Sequence, residues 1–117
     1  MTLDLEQTTN QLKETIDSLH DRYLEQSEPV DRTDHAFFEK VKKETAPHFE
    51  LTKKWFEEAE VFVKDREVSV HPNQVQSTYE NIEMLILHSY YLDIDKNRYK
   101  DLYHSSHYVL DMVLDNL

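Results

Sequence analysis

The sequence predicts an all-α domain, four-helix-bundle-like, with mostly antiparallel up-down connections. Three observations predict it. The chain has no glycine. Its apolar residues recur at alternating three- and four-residue spacing through long segments, the period of one buried helix face. The connections between those segments are short and polar, and each of the three prolines stands at an expected boundary.

Glycine is the default residue where the backbone needs a positive φ angle. At ~7% usage about eight would be expected in a chain of this length. Its absence disfavours hairpin turns, a P-loop, a dinucleotide-binding turn and a nucleophile elbow. With 117 residues, one domain spanning 1–117 is expected, and a chain of this size buries roughly two-thirds of its unfolded surface.

The first helix is expected over about 3–25. Leu5, Leu12, Ile16, Leu19 and Tyr23 form one stripe, and Thr9 fills the vacant seam position. Thr2 is the expected N-cap, and Asp4 and Glu6 suit the positive end of the helix dipole. Residues 26–33 are polar, contain Pro29 and read as a loop. Asp34 is the expected N-cap of a second helix carrying Phe37, Phe38 and Val41. Pro47 is expected to interrupt it, because proline lacks the amide hydrogen and disfavours helix at the residue before it.

A third helix is then expected over about 47–65, with the proline in its first turn. Phe49, Leu51, Thr52, Trp55, Phe56, Ala59, Phe62 and Val63 share an arc of about 160° at ~100° per residue. An apolar arc that broad touches at least two neighbours. Residues 66–71 form another connection. The fourth helix covers about 72–92, with Pro72 at its first position. Asp95 is the expected N-cap of the fifth, which runs to the C-terminus on Tyr99, Leu102, Tyr103, Ser106, Val109, Leu110, Val113 and Leu117. The expected architecture is therefore three full rods and a fourth broken near Pro47, about five helices in all.

The run His88-Ser-Tyr-Tyr-Leu-Asp-Ile-Asp-Lys-Asn-Arg-Tyr-Lys-Asp101 resembles the corresponding stretch of the YppE-like family of uncharacterised bacterial proteins. Asp34-His-Ala-Phe-Phe-Glu39 and the isolated Trp55 are similar as well. The resemblance extends over nearly the whole chain. It implies a mainly helical domain from a low-GC Gram-positive bacterium. It brings no activity, ligand or catalytic residue with it.

Charge and composition narrow the function classes. The formal net charge is -11. Such a field repels nucleic acids and anionic membranes, and it favours a basic or neutral protein partner. It also serves simply to keep a small bundle in solution. With no cysteine, disulfides, thiolate zinc sites and cysteine nucleophiles are excluded. The first residues have no basic region and no long apolar run, so no signal peptide is expected. The mainly apolar run at 84–92 is far short of the ~20 residues of a membrane span. A cytoplasmic protein is expected.

Helical bundles host di-metal sites built from inward-facing Glu and Glu-x-x-His pairs. This chain has Asp17-x-x-His20, and Asp101-x-x-His104-x-x-His107 followed by Asp111 and Asp115. Rotation places them badly for that role. Counting from Tyr99, the apolar stripe of the last helix spans about 280° through zero to 60°, with His104, Asp111 and Asp115 near 120–160° and Asp101 near 200°. Only His107 borders the stripe. On the first helix Asp17 lies off it and His20 at its edge. A solvated polar face is the expectation, with no metal, no cofactor and no catalytic residue assigned. Ser18, Ser77, Ser89, Ser105 and Ser106 all fall on expected helices, without the strained turn that exposes a nucleophile.

The fourth helix departs from simple patterning. Val75, Tyr79, Ile82, Ile86 and Ser89 form the expected core stripe. A second stripe appears opposite: Met84, Leu87, His88 and Tyr91, at i, i+3, i+4 and i+7, the spacing of a helix anchor set. Leu85, Tyr90 and Leu92 occupy its flanks. Either this helix is central and covered all round, or the second stripe is a surface for a protein partner or a second copy. The cluster of Tyr90, Tyr91, Tyr99 and Tyr103 poses the same choice between a packed corner and a recognition patch. A non-enzymatic interaction module docking through this surface is the expected function. A metal- or small-ligand-binding bundle with enzymatic activity is the alternative.

Overall fold

The computed structural model describes residues 2–25, 33–64, 68–92 and 94–117, with backbone alone for residues 2 and 3. Four helices span them: α1 (Thr2–Glu25), α2 (His35–Lys64), α3 (Pro72–Tyr91) and α4 (Lys96–Asp115). No strand occurs among the described residues. Most of the loop expected at 26–33, part of the connection at 66–71, and Asp93 lie outside them.

The all-α bundle stands as expected, with one correction. Pro47 lies inside α2, which continues through it, so the chain has four helices where about five were expected. Thirty residues at ~1.5 Å each make about 45 Å, and the molecule is 47 Å long. α2 thus runs its full length as one rod. The physical reason is tertiary. Pro47 removes one amide donor, whose partner would be the Lys43 carbonyl, at a cost of ~3 kcal/mol. Both residues are exposed, so water reaches the orphaned acceptor. Val41 and Thr45 before the proline, and Thr52, Trp55, Ala59, Phe62 and Val63 after it, are all buried. Each large apolar side chain contributes about 1.5–3 kcal/mol, so the packed residues outweigh the break.

Capping explains where the helices begin. Asp34 Oδ1 accepts from the Phe37 amide at 3.1 Å, and Asp95 Oδ1 accepts from the amides of Asn97 and Arg98 at 2.9 and 3.3 Å, both as expected. The start of α3 uses a cap outside the usual Ser, Thr, Asp and Asn set. His71 Nδ1 accepts from the Asn73 amide at 3.0 Å, while Gln74 Oε1 accepts from the His71 amide at 2.8 Å. This is a capping box with imidazole in place of a hydroxyl. Thr2, expected as a cap, is the first residue of α1.

α1 and α3 pack against each other, and each packs against both α2 and α4. Helices consecutive in the chain run antiparallel. Thr9 meets Trp55 and Thr8 meets Glu58 across α1 and α2. Tyr90 meets Glu44 and Tyr79 meets Phe56 across α2 and α3. Gln74 meets Met112 and Ser89 meets Tyr99 across α3 and α4.

The core takes Leu5, Leu12, Ile16 and Leu19 from α1, with Thr9 on the seam fully buried. Trp55 is also fully buried. Its indole N–H donates to Thr9 Oγ1 at 3.1 Å, and that hydroxyl donates to the Leu5 carbonyl at 2.6 Å. The polar seam residue is therefore the acceptor that allows a tryptophan into the core.

Candidate docking surface

The polar groups of α1 and α4 form a seam. Lys13 Nζ lies 2.5 Å from Asp111 Oδ1. One turn along, Asp17 Oδ1 accepts from Tyr103 Oη and from His107 Nε2, both at 2.6 Å. Next, the His20 ring stacks on Tyr103 with centroids 4.1 Å apart, and Tyr23 stacks on Tyr99 at 3.8 Å. Burial alone would raise the Asp17 pKa, but the bonds from Tyr103 and His107, with the charges of His107 and Lys13, bring it below 3.8. Burial, reinforced by Asp17, pushes the Tyr103 hydroxyl up to about 12, so at neutral pH it is a donor and not a nucleophile.

Asp17, Asp101, His104, Asp111 and Asp115 are exposed, and His20 and His107 are half-buried. Asp101, His104 and Asp17 do not converge on an internal point. Among the described residues no group of three histidine or carboxylate side chains is arranged to hold a metal ion. The exposure of the carboxylates and His104 follows from helical rotation, and the pairing of Asp17 with His107 and Tyr103 does not. The signal was present as complementary residues at 13, 17 and 20 against 111, 107 and 103, legible only once the α1–α4 register is known.

The tyrosine corner is packed. The Arg22 guanidinium lies 3.9 Å from the centre of the buried Tyr90 ring, and Tyr90 Oη donates to Glu44 at 3.4 Å. Tyr99 is fully buried against Ser89, whose hydroxyl donates to the Leu85 carbonyl at 2.6 Å. Having used its proton there, Ser89 accepts from Tyr99 Oη at 2.6 Å. Burial pushes the Tyr99 hydroxyl up to about 12.

α3 shows what becomes of the second stripe. Its flanks Leu85 and Tyr90 are buried and Leu92 is half-buried, as befits the contacts of α3 with all three other helices. Met84 and Tyr91 are half-buried against the core, and the Tyr91 and Phe37 rings meet edge to face with centroids 5.6 Å apart. His88 is half-buried and engaged with a neighbour. Leu87 is 42% exposed. Met84, Leu87, His88 and Tyr91 therefore share one face, of which Leu87 is the uncovered crest.

The same ridge continues toward the helix start. Gln76, Glu80, Met84, Leu87 and Tyr91 fall within about 80° of one another at ~100° per residue. Gln76 donates to Glu80 at 2.9 Å, and both are exposed. Beside them Tyr79 stacks on Phe56. Burial, then the charges of Glu83 and Glu57, raise the Tyr79 pKa. α3 is the one helix of the four without lysine or arginine.

Between α1 and α2 a shallow groove of about 440 Å³ is lined by Gln11, Glu14, Thr15, Ser18, Pro47, His48 and Leu51. Burial lowers the His48 pKa. The groove is open to solvent.

Residues 9–117 match a bacterial domain of unknown function, DUF1798. The uncharacterized protein YppE of Bacillus subtilis (strain 168) is 34% identical over 110 residues, covering 93% of this chain and 88% of that protein. The crystal structure of YppE superposes with a TM-score of 0.83 at 29% identity, covering 99% of this chain and 94% of the other. Its solution NMR structure gives 0.78 at 30%, covering 97% and 91%. The four-helix arrangement is thus similar to one observed both in a crystal and in solution.

Proposed function

We propose, from the premise that this chain belongs to the DUF1798 family of bacterial proteins, that it is a non-enzymatic module which binds another protein through the uncovered part of α3. The observation that carries this reading is Leu87. It stands 42% exposed at the crest of a helix whose other leucines and isoleucines are buried or half-buried. Met84, His88 and Tyr91 surround it as a half-buried rim. A large apolar side chain framed by methionine and an aromatic ring is the composition of an interface anchor. No helix among the described residues is long and apolar enough to cross a membrane, and a cytoplasmic partner fits that.

The test is affinity purification from a lysate of the bacterium that makes the protein, with Leu87→Asp beside the wild type. Position 87 is exposed, so the variant should keep its helical circular-dichroism spectrum. A protein retained by the wild type and lost from the folded variant supports the reading. Equal retention by both overturns it.

A further inference from the structure

The α3 ridge carries two kinds of surface in sequence. Toward the helix start it is acidic, with Glu80 exposed and Glu83 half-buried. Toward the helix end it is apolar, with Leu87 at the crest between Met84 and Tyr91. Glu80 and Leu87 are seven residues apart, about 10 Å along the axis. α3 provides no lysine or arginine to neutralise the acidic half, and the whole chain carries -11.

From this juxtaposition we infer that the docking surface takes an amphipathic, cationic helix, with apolar anchors on Leu87 and lysine or arginine about two turns away facing Glu80 and Glu83. The inference rests on the reading of Leu87 given above and adds the partner's chemistry. Charge complementarity selects this occupant. Carboxylates at the edge of a small apolar contact steer a basic partner in and fix its register, and they repel an acidic one. A second copy of this chain fits poorly, because its own α3 ridge offers these carboxylates no cation. A helix suits the site because the surface is a ridge about 22 Å long, from residue 76 to residue 91, and helices pack along such ridges.

The experiment uses the full chain and three labelled synthetic helical peptides, read by fluorescence anisotropy. The first has leucines at i, i+3 and i+4, with lysines centred seven residues away. The second has glutamate for each lysine. The third has the first peptide's composition in shuffled order. The lysine peptide should bind, with affinity falling as salt rises from about 50 to about 300 mM, and the other two should bind far more weakly. Glu80→Lys should weaken the lysine peptide roughly fivefold, and Leu87→Asp about tenfold or more. Both variants should be folded by circular dichroism.

If lysine and glutamate peptides bind alike, the cationic partner is overturned. The same follows if Glu80→Lys changes nothing while Leu87→Asp weakens binding, and docking at Leu87 then stands. If Leu87→Asp leaves the lysine peptide's affinity unchanged, both readings fall together. If no peptide binds at about 0.1 mM, the cationic helix is overturned and the affinity purification alone decides the docking reading.

Discussion

At the scale of single residues, an absent glycine is felt most at Leu92. It closes α3 with φ 57° and ψ 21°, the left-handed conformation usually given to glycine, and its amide bonds back to the His88 carbonyl at 3.1 Å. A side chain with a β-carbon is disfavoured there by about 1–2 kcal/mol. Leu92 is half-buried, so replacing it with glycine alone would confound backbone relief with lost packing. The comparison of Leu92→Gly with Leu92→Ala removes most of that problem, because the two variants differ only by the β-carbon. The glycine variant should be the more stable of the two by about 1 kcal/mol in urea unfolding, the reverse of the order at an ordinary helical position. Equal midpoints would show that the left-handed cap stores no strain.

At the scale of elements, Pro47 weighs a local rule against a tertiary one. The local rule ends a helix there; burial on both sides of the proline carries α2 through. The proline's cost is still present, offset but not removed. Pro47→Ala should therefore stabilise the protein by about 1–3 kcal/mol, seen as a higher urea midpoint at unchanged slope. A loss of stability would mean that the ring packs in a way its exposure does not suggest. The same contrast explains what was legible in the sequence. The stripe of α1, the broad arc around Trp55 and the caps at Asp34 and Asp95 follow from spacing and side-chain chemistry within one segment, and the structure reproduces them. The second stripe of α3 was legible for the same reason. That Leu87 stays uncovered while Leu85 and Tyr90 are buried depends on which helices flank α3, and periodicity within one helix does not contain that. The bonds of Asp17 to Tyr103 and His107 span 86 and 90 residues. They follow from the register of α1 on α4, which a charged residue on an exposed face does not announce.

At the scale of the whole molecule, these long-range bonds make the α1–α4 seam respond to pH at both extremes. Asp17 has a folded pKa below its ordinary 3.8. Its contribution is therefore present above that value and lost as pH falls through the lower folded one, because the unfolded chain then binds the extra proton first. Tyr99 and Tyr103 have folded values raised from 10.0 to about 12. Their contribution is present below 10 and lost as pH rises from there toward 12, because the unfolded chain releases those protons first. Asp17 is largely exposed, so solvent screening keeps its share small, whereas Tyr99 is fully buried on α4 against Ser89 of α3 and Tyr23 of α1. The alkaline limb should be the steeper of the two for these groups. Urea midpoints measured across pH should show that Asp17→Asn flattens the fall below pH 4 and also softens the Tyr103 share of the alkaline limb, because Asp17 is one of the groups that raise that hydroxyl. Tyr99→Phe should flatten the alkaline limb and leave the acid limb in place, while also lowering stability at neutral pH, since Ser89 then loses its buried donor. An acid limb identical in the wild type and Asp17→Asn would mean that the bonds of Asp17 contribute nothing to holding α4 against α1, and that the stacked rings and the apolar packing account for its place in the bundle.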